Sequence, residues 1–346
     1  MLSFECDYVA GAHPKVLEAL SRTNLEHLPG YGTDPYWKRA CEKIRAACQC
    51  PEADVYFLTG GTQTNAIVIS TLLKSFEGVV AADTAHIAGH EAGAIEYTGH
   101  KVLTLPHHEG KLSGSELRVY LQTCFHDDNL SHMVHPGMVY ITHPTEFGTL
   151  YTEAELKAVA EACHEFGLPL YLDGARLGYG LMSPKTDVTL PMIAEYCDAF
   201  YIGGTKMGAL CGEAVVFTKG NMPKQFPTIV KHHGAMLAKG RVLSVQFDAL
   251  FTDNLYFELG RHAVDLSMEL KRGLLELGCW FYVDTTTNLQ FVIMHKSATA
   301  RLRDTVNFNV WENFGHNHDV VRFATSWSTT REEVQALIEE VRKLTQ

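Results

Sequence analysis

The sequence has few positive charges and lacks long hydrophobic runs. Its 346 residues include 29 lysines and arginines against 40 aspartates and glutamates, which gives a formal net charge of −11. No segment is rich in lysine or arginine, and a surface of this charge repels a phosphate backbone. The longest apolar stretch, residues 66–73, is too short to cross a bilayer. We therefore expect no nucleic-acid partner and no membrane partner.

Cysteine spacing and the first residues bear on the cellular compartment. The nine cysteines include no pair separated by two residues, the spacing typical of zinc ribbons. Their odd number fits free thiols in a reducing compartment better than a disulfide framework. The first eight residues, MLSFECDY, contain two acids and no basic segment, unlike a secretory signal peptide. These features predict a cytoplasmic protein.

Short apolar runs alternate with segments of helical periodicity from about residue 53 onward. The runs predict strands at residues 55–58, 78–82, 101–105, 137–142, 168–173, 199–202 and 214–217. Helices are predicted between them at residues 65–75, 114–123 and 153–166, the last with Thr152 as its expected cap. The repeated order of strand, helix and strand predicts an α/β fold, with a mostly parallel sheet and helices on both faces.

The pattern changes after about residue 220. Helices predicted at residues 241–252 and 256–277 are followed by strands at residues 280–283, 289–294 and 320–325 and by a helix from Arg331. This order predicts a smaller α+β domain. We divide the chain into an N-terminal segment (residues 1–30), a large α/β domain (31–240) and a small C-terminal domain (241–346). No internal repeat or low-complexity linker separates them, so we expect close packing.

Lys206 follows a predicted strand in the segment FYIGGTKMG. The strand ends in a Gly-Gly-Thr turn, which presents the lysine at the margin of the sheet. An amine there, beside few charges, can have a lowered pKa and act as a nucleophile. A surface lysine after a turn is an equal alternative. The sequence has no G-x-x-x-x-G-K-[ST] pattern, which argues against a phosphate-loop NTPase.

Asp173 ends the apolar strand predicted at residues 168–173, and Arg176 follows three residues later. Open α/β folds bind ligands at the carboxyl edge of the sheet, so a carboxylate there is a candidate ligand-binding group. An aspartate at such a position is also often only a helix cap. The nearby arginine favours a binding site.

Two other turns follow predicted strands. Gly60, Gly61 and Thr62 lie at a helix start, where N–H groups favour an anion, although glycine pairs also occur there for structural reasons. His86 belongs to the segment DTAHIAGHE, in which His86 and His90, four residues apart and with Glu91 nearby, are a candidate metal-binding pair. We favour stacking or proton transfer by His86 and expect no metal, because the order is not H-E-x-x-H and no third ligand is marked.

These groups together match the needs of pyridoxal phosphate (PLP). A lysine binds its aldehyde as a Schiff base, and a carboxylate keeps its pyridine nitrogen protonated, so that the ring accepts electrons from a carbanion. A helix N-terminus binds its phosphate, and an aromatic side chain covers the ring. The residues that fit are Lys206, Asp173, the turn at residues 60–62 and His86.

The sequence resembles the low-specificity L-threonine aldolases, a family of fold-type-I PLP-dependent enzymes, over nearly the whole chain. The resemblance implies that residues 31–240 form the PLP-binding domain and that the cofactor residues have defined roles. They are Lys206 as the lysine that binds PLP, Asp173 at the pyridine nitrogen, Gly60, Gly61 and Thr62 at the phosphate, and His86 stacked on the ring.

The resemblance also implies residues on the substrate side. Arg322, in the segment VRFAT, is similar to the family's carboxylate-binding arginine, with Arg176 as its neighbour near the cofactor and the same substrate carboxylate. Tyr31, in the segment GYGTD, resembles the family's Tyr-Gly-x-Asp loop, which reaches the site near a subunit interface. Cys6 replaces a serine that helps to bind the carboxylate in better-known members. His132 falls where the family has a second active-site histidine.

Such a family cleaves β-hydroxy-α-amino acids to glycine and an aldehyde by retro-aldol chemistry. His86 and His132 are the candidate bases, and a water molecule held by them is an equal alternative. The segment THPTEFGT at residues 142–149 replaces the family's Glu-Asn-Thr-His-type loop. The alternatives are another PLP reaction on amino acids (β-elimination or transamination), a non-catalytic amino-acid-binding protein and a metal-dependent hydrolase. The resemblance also implies a homo-oligomer, either a dimer or a tetramer.

Overall fold

Helices and strands alternate along residues 1–345, the part of the chain that this computed structural model describes. The α-helices are α1 (Pro14–Arg22), α2 (Pro35–Cys48), α3 (Gly61–Leu72), α4 (His86–Gly89), α5 (Ala94–Tyr97), α6 (Gly114–Phe125), α7 (Glu153–Glu165), α8 (Leu177–Leu181), α9 (Leu190–Tyr196), α10 (Phe226–His232), α11 (Arg241–Leu250), α12 (Leu255–Glu276), α13 (Lys296–Leu302) and α14 (Arg331–Thr345). The strands are β1 (Leu2–Ser3), β2 (Asp54–Leu58), β3 (Glu77–Ala82), β4 (Val102–Leu105), β5 (His135–Thr142), β6 (Leu170–Asp173), β7 (Ala199–Gly203), β8 (Glu213–Phe217), β9 (Trp280–Phe281), β10 (Leu289–His295), β11 (Val306–Asn307), β12 (Asn309–Phe314) and β13 (His318–Ala324).

Polar residues set the starts of several helices. The Thr152 hydroxyl accepts a hydrogen bond from the Glu155 N–H at 3.2 Å, and the Glu155 carboxylate accepts one from the Thr152 N–H at 2.8 Å, so Thr152 caps α7 as predicted. α2 begins after Asp34, whose carboxylate accepts from the Trp37 N–H at 2.9 Å. Such caps satisfy N–H groups that a helix leaves unpaired and contribute about 1 kcal/mol each.

The central sheet has the strand order β2-β8-β7-β6-β5-β3-β4. Neighbours among β3, β4, β5, β6 and β7 run parallel, whereas β8 is antiparallel to both β2 and β7. The register places Thr142 at the end of β5 beside Asp173 at the end of β6. The carboxyl ends of β5, β6 and β7 therefore meet at one edge of the sheet, which confirms the predicted mostly parallel architecture.

Helices cover both faces of this sheet. Every residue of β6, β7 and β8 is buried, and successive side chains of a strand point to opposite faces, so neither face is open to solvent. The apolar core extends from these strands to Leu255, Leu259 and Val264 of α12. Burial of apolar surface, at about 25 cal/mol per Å², is the main force that stabilises this arrangement.

The C-terminal part contains a second, antiparallel sheet of order β12-β13-β10-β9, as the predicted smaller α+β domain requires. Its core includes Phe4 from the N-terminal segment and Leu270 from α12, and β1 pairs with β11. α12 thus contributes to both cores, and the division of the chain after residues 30 and 240 stays a prediction. In residues 1–345, no helix has the length and the apolar character needed to cross a membrane.

Candidate active site

The carboxyl ends of β5, β6 and β7 meet the turn between β2 and α3 around a cavity of about 340 Å³. Parallel strands bring the residues that follow them to the same sheet edge, which is why distant segments meet here. The predicted residues that line the cavity are Gly60, Gly61, Thr62, His86, Asp173, Arg176 and Lys206. These are the residues to which the resemblance assigns cofactor contacts.

Asp173 ends β6 and is almost fully buried. Its carboxylate accepts hydrogen bonds from the Tyr140 hydroxyl at 2.7 Å, the Asn65 amide at 3.0 Å and the Ala175 N–H at 2.9 Å. Burial and the neighbouring Asp173 carboxylate raise the pKa of Tyr140 well above its ordinary value, so this hydroxyl remains a donor. The three donors fix the orientation of the carboxylate in the cavity.

Lys206 lies in the turn after β7 and lines the cavity, so the alternative of an ordinary surface lysine does not apply. Burial lowers the pKa of Lys206, and the charge of Arg176 lowers it further. Three carboxyl groups act in the opposite direction, those of Asp7, Asp173 and Glu213. A lowered pKa leaves a larger fraction of the amine neutral, and the neutral amine is the nucleophile.

The N-terminus of α3 forms another wall of the cavity. Gly60 precedes the helix in an extended conformation and has no side chain to cap it. A Cβ built at Gly60 would meet no atom of residues 1–345 within 4 Å, so the space beside the turn is open. A Cβ at Gly61 would lie 3.1 Å from the Tyr201 hydroxyl. Uncapped N–H groups beside open space favour an anion here.

His86 begins α4, and a carboxylate orients its ring. The Nδ1 atom of His86 lies 2.8 Å from Oε1 of Glu91, which also accepts a hydrogen bond from the Asn65 amide at 2.8 Å. Asn65 donates to Asp173 as well, so hydrogen bonds connect His86 to Asp173 through Glu91 and Asn65. When Nδ1 donates its proton to Glu91, Nε2 is the acceptor nitrogen. His86 is therefore suited to proton transfer at Nε2.

The alternative of a metal site used His86, His90 and Glu91. Their rings and carboxylate do lie close together, with 5.8 Å between the centres of the two imidazoles. Over residues 1–345, however, no three histidine, cysteine, aspartate or glutamate side chains are grouped so that they could bind a metal ion.

Arg176 forms an ion pair with Asp7 through two hydrogen bonds. Its Nε and Nη2 donate to the two carboxylate oxygens at 2.6 and 3.0 Å, and the Asn288 amide donates to Asp7 at 2.9 Å. Burial by itself raises the pKa of Asp7, but the positive charges of Arg176 and Lys206 outweigh it, so that the pKa is lowered to about 2. Two of the three guanidinium nitrogens of Arg176 are therefore engaged by the protein.

Arg322 lies on β13, outside the residues that line the cavity. Its buried Nε has no hydrogen-bond partner among the described residues, and its Nη2 lies 3.4 Å from the Glu5 carbonyl oxygen. Burial lowers the pKa of Arg322, and the charge of Arg176 lowers it further, which indicates that the two guanidinium groups are near each other. An unpaired buried N–H is unfavourable, and a carboxylate is the ligand that best satisfies it.

Cys6 and Tyr31 also lie outside the lining of the cavity. Cys6 is buried beside Tyr8, a cavity residue whose pKa is raised by burial and by Cys6. Tyr31 is exposed, and the Lys231 Nζ lies 4.9 Å from the centre of its ring. A substrate contact by Cys6 and a role of Tyr31 near a subunit interface stay predictions.

The placement of His132 contradicts its prediction as an active-site histidine of this chain's cavity. His132 ends the short 3₁₀ turn Leu130–His132, is exposed, and precedes the amino end of β5. The cavity lies at the carboxyl end of the same strand, and eight residues at about 3.3 Å each span roughly 26 Å. His132 is therefore at the opposite edge of the sheet from Asp173.

Two buried acids of the cavity were not predicted, Glu146 and Glu213. Burial raises the pKa of Glu146 to about 7 and that of Glu213 to about 8. Glu213 accepts hydrogen bonds from the Gly204 N–H at 3.0 Å and the Thr205 hydroxyl at 2.8 Å. Glu146 could have been found from the sequence, because it closely follows the strand predicted at residues 137–142 and so lies near the carboxyl edge of the sheet. Glu213 begins β8, so finding it required knowing that β8 is antiparallel.

Comparisons with known proteins agree with this geometry. Residues 3–297 match the beta-eliminating lyase family. A low-specificity L-threonine aldolase from a Pseudomonas species is 29% identical over 343 residues, which cover 98% of this chain and 96% of that protein. A solved structure of threonine aldolase from Leishmania major is 39% identical, with 100% of both chains covered and a TM-score of 0.96.

A more distant structure agrees in the fold alone. Aspartate aminotransferase from Thermus thermophilus is 16% identical, with 99% of this chain and 91% of that chain covered and a TM-score of 0.72. The architecture is therefore the fold-type-I arrangement of PLP-dependent enzymes, which confirms the predicted fold class. The family match includes the strands and turns that supply Asp173, Lys206 and the N-terminus of α3. On the strength of this match over most of its length, the chain belongs to the beta-eliminating lyase family.

Proposed function

We propose that this protein is a PLP-dependent threonine aldolase, a lyase that cleaves L-threonine, L-allo-threonine and related β-hydroxy-α-amino acids to glycine and an aldehyde. The Pseudomonas and Leishmania relatives carry that name and align with nearly the whole chain. The observation that most supports the proposal is one cavity lined by an uncapped helix start, the buried carboxylate of Asp173 and Lys206, an amine of lowered pKa.

The groups in the cavity fit PLP chemically. The open space and the N–H groups at Gly60 and Gly61 suit its phosphate. Asp173 offers a carboxylate to the pyridine nitrogen, Lys206 offers its amine to the aldehyde, and His86 offers a ring for stacking. When bound, PLP supplies an electron-accepting ring that stabilises negative charge on the substrate Cα.

The arginines of the site orient the amino acid. The unpaired Nε of Arg322 makes it the preferred group for the α-carboxylate, since Asp7 already engages two of the three guanidinium nitrogens of Arg176. A carboxylate held at one point restricts the rotation of the substrate about the bonds to Cα. This matters because the bond to be broken must be aligned so that its electrons can delocalise into the electron-accepting ring of PLP. Cys6 lies near Arg322 and is the candidate for a further contact on that side.

His86 is the first candidate to accept the β-hydroxyl proton. Its Nε2 is the acceptor nitrogen when Nδ1 donates to Glu91. The Glu91 carboxylate then stabilises the imidazolium that forms on protonation, as carboxylates do for catalytic histidines.

A visible absorption spectrum combined with an aldehyde assay tests the proposal. Purified protein with added PLP should absorb as a lysine-bound cofactor, and L-threonine and L-allo-threonine should release aldehyde and glycine in equal amounts. Lys206→Ala should lose both the absorption band and aldehyde release, whereas Lys224→Ala, at an exposed lysine, should retain both.

Other products would decide between the remaining alternatives. A coloured protein that forms ammonia and an oxo acid, or a new amino acid, would be a β-eliminating lyase or an aminotransferase. The Pseudomonas and Leishmania relatives are named threonine aldolases, which favours aldehyde release over these reactions. A protein that never binds PLP would exclude the proposed function.

The finer expectations about assembly and location belong to this proposal. We expect a homo-oligomer, either a dimer or a homotetramer, located in the cytoplasm. We place Tyr31 near a subunit interface because its ring is exposed on the single chain. Analytical ultracentrifugation of the wild type and of Tyr31→Glu tests the assembly. A monomeric wild type that is fully active would exclude an interface role for this residue.

A further inference from the structure

Glu146 is a buried acid that lines the cavity, and neither cofactor binding nor substrate orientation requires it. It lies four residues after Thr142, which ends β5 and pairs in register with Asp173 of β6. The sheet edge that positions Asp173 therefore also positions Glu146. Glu146 thus follows the carboxyl end of β5, beside the cavity, whereas His132 precedes the amino end of the same strand.

Protein donors satisfy the two oxygens of Glu146 unequally. Oε1 accepts hydrogen bonds from the backbone N–H of His86 at 2.8 Å and from the Thr142 hydroxyl at 3.1 Å. Within residues 1–345, the only donor to Oε2 is the same Thr142 hydroxyl, at 3.0 Å. Since a hydroxyl has one proton, the two oxygens share it. Oε2 therefore retains the capacity to accept a hydrogen bond from a ligand in the cavity.

The electrostatic surroundings let Glu146 change its protonation state near neutral pH. The titratable and charged groups that act on it or respond to it are Asp173, His86, Arg176, Tyr140 and Tyr151. Burial raises the pKa of Glu146 to about 7, with a contribution from Asp173 in the same direction, while hydrogen bonds and His86 act to lower it. General acid-base catalysis is most efficient at such a pKa.

We propose that Glu146 is a catalytic residue that binds the β-hydroxyl group of the substrate through Oε2 and accepts its proton during cleavage. The inference rests on the aldolase function proposed above. Through Oε1, the same side chain also positions the backbone of His86, so both candidate bases lie on one wall of the cavity.

The proton transfer leaves a balanced reaction. The β-hydroxyl O–H bond breaks, its proton moves to Oε2, and its electron pair forms the C=O bond of the aldehyde. The Cα–Cβ bond breaks with its electron pair remaining on Cα, which takes up a proton from solvent to give glycine. Glu146 then returns its proton to solvent, so no further reactant is needed.

The first test is Glu146→Gln, which keeps the size of the side chain but has no carboxylate. We expect the kcat for L-threonine and L-allo-threonine to fall at least about 100-fold, the usual effect of losing a general base, with a smaller change in KM. Deuterium uptake into glycine from heavy water should persist, because glycine has no β-hydroxyl group. Glu161→Gln, at an exposed glutamate on α7, should match the wild type in both assays.

The pH profile separates catalysis from a structural role. In the wild type, kcat should rise as Glu146 loses its proton, and this limb should be absent in Glu146→Gln. Thr142→Val removes a hydrogen bond that favours the carboxylate, so the limb should move to higher pH. Glu146→Asp should recover part of the kcat lost in Glu146→Gln. A limb that stays in place in all variants would overturn the proposal.

A measurement without cofactor tests the protonation of Glu146 directly. Because the folded-state pKa of about 7 exceeds the ordinary 4.5, ionisation of Glu146 destabilises the folded chain as pH rises through this interval. The unfolding midpoint of PLP-free Glu146→Gln should therefore increase relative to the PLP-free wild type between pH 4.5 and 7 and then level off. A constant difference would overturn the proposal.

The outcomes distinguish this inference from the proposed function. A wild type that releases no aldehyde rejects the aldolase function, whatever Glu146 does. If the wild type releases aldehyde and Glu146→Gln retains its kcat and pH profile, the aldolase function stands and Glu146 is not its base. If Glu146→Gln loses aldehyde release and glycine exchange to the same extent, its role is structural and the proposal is rejected.

Discussion

Asp7 and Glu146 are both buried beside the same cavity, yet their pKa values lie on opposite sides of the ordinary range. Their residues are 1% and 7% exposed, respectively. Asp7 faces the Arg176 guanidinium through two hydrogen bonds and has a pKa of about 2, while Glu146 accepts from a backbone N–H and a hydroxyl and has a pKa of about 7. Burial favours the neutral form of both, so the charge that faces each carboxyl group determines its protonation.

The difference separates a fixed charge from an exchangeable proton. At neutral pH Asp7 remains a carboxylate that orients Arg176, whereas Glu146 can gain or lose a proton without a large change in pH. A catalytic base needs the second property, and a residue that orients a neighbouring cation needs the first. Asp173 adds a third arrangement, a buried carboxylate with three hydrogen-bond donors.

Asp173→Asn replaces the buried carboxylate that has three hydrogen-bond donors, and it should have the largest effect on activity. An amide cannot stabilise a protonated pyridine nitrogen as a carboxylate does, so we expect kcat to fall at least about 100-fold, the usual effect of removing a preorganised electrostatic partner. Steady-state kinetics on L-threonine, with PLP content measured on the same sample, checks this. A near-normal kcat would show that Asp173 is not the partner of the pyridine nitrogen.

Asp7→Asn removes the fixed negative charge beside Arg176. It leaves the Arg176 charge buried without its partner, and we expect the free energy of unfolding to fall by about 3–5 kcal/mol. Urea denaturation of the PLP-free protein measures the change. Asp284→Asn, at an exposed carboxylate paired with Lys185 and Lys271, is the matched control and should cost less than about 1 kcal/mol. Equal losses would show that burial does not strengthen the Asp7 pair.

Acid unfolding tests the low pKa of Asp7. The pKa of Asp7 is lowered from 3.8 to about 2, so its contribution is fully present above pH 3.8 and is lost as pH falls through about 2. At 1.36 kcal/mol per pKa unit, the loss is about 2 kcal/mol. Urea denaturation between pH 4.5 and 2 should show this additional decline in the wild type. A wild type that declines no more than Asp7→Asn would refute the low pKa.

Thr152→Ala provides the baseline for a polar contact far from the cavity. The capping box of Thr152 and Glu155 contributes about 1 kcal/mol by the usual value for such caps. We expect thermal denaturation to detect that loss while kcat and KM for L-threonine remain unchanged. A changed kcat would indicate that α7 is coupled to the site.

Most of the residues proposed to bind the cofactor could be predicted from the sequence, because they occupy recognisable positions at the ends of strands or the start of a helix. Asp173 and Lys206 come directly after apolar strands, and the glycines at residues 60–61 open a helix. Alternation of apolar runs predicts the strands, and parallel strands bring their carboxyl ends together. The predicted strands at residues 55–58, 78–82 and 199–202 agree with β2, β3 and β7 to within one residue at each end.

The misplaced and missed residues depended on information that is not local. His132 and Glu146 flank the same predicted strand, and the resemblance favoured the residue that precedes it rather than the one that follows it. α1 and α2 were missed because they precede the strand–helix alternation. β12 was missed because its residues are exposed or only half-buried, so it lacks the apolar pattern of a buried strand.

Local hydrophobic periodicity and the ends of the apolar runs were enough to predict the fold class, the edge of the sheet where the cavity lies and the residues suited to PLP. The pairing of Asp7 with Arg176, 169 residues away, and the burial of Glu146 and Glu213 in the cavity depend on the three-dimensional arrangement of the chain. Protonation of a buried group depends on its desolvation and on the charges facing it. Both come from segments distant along the chain, which local sequence patterns do not encode.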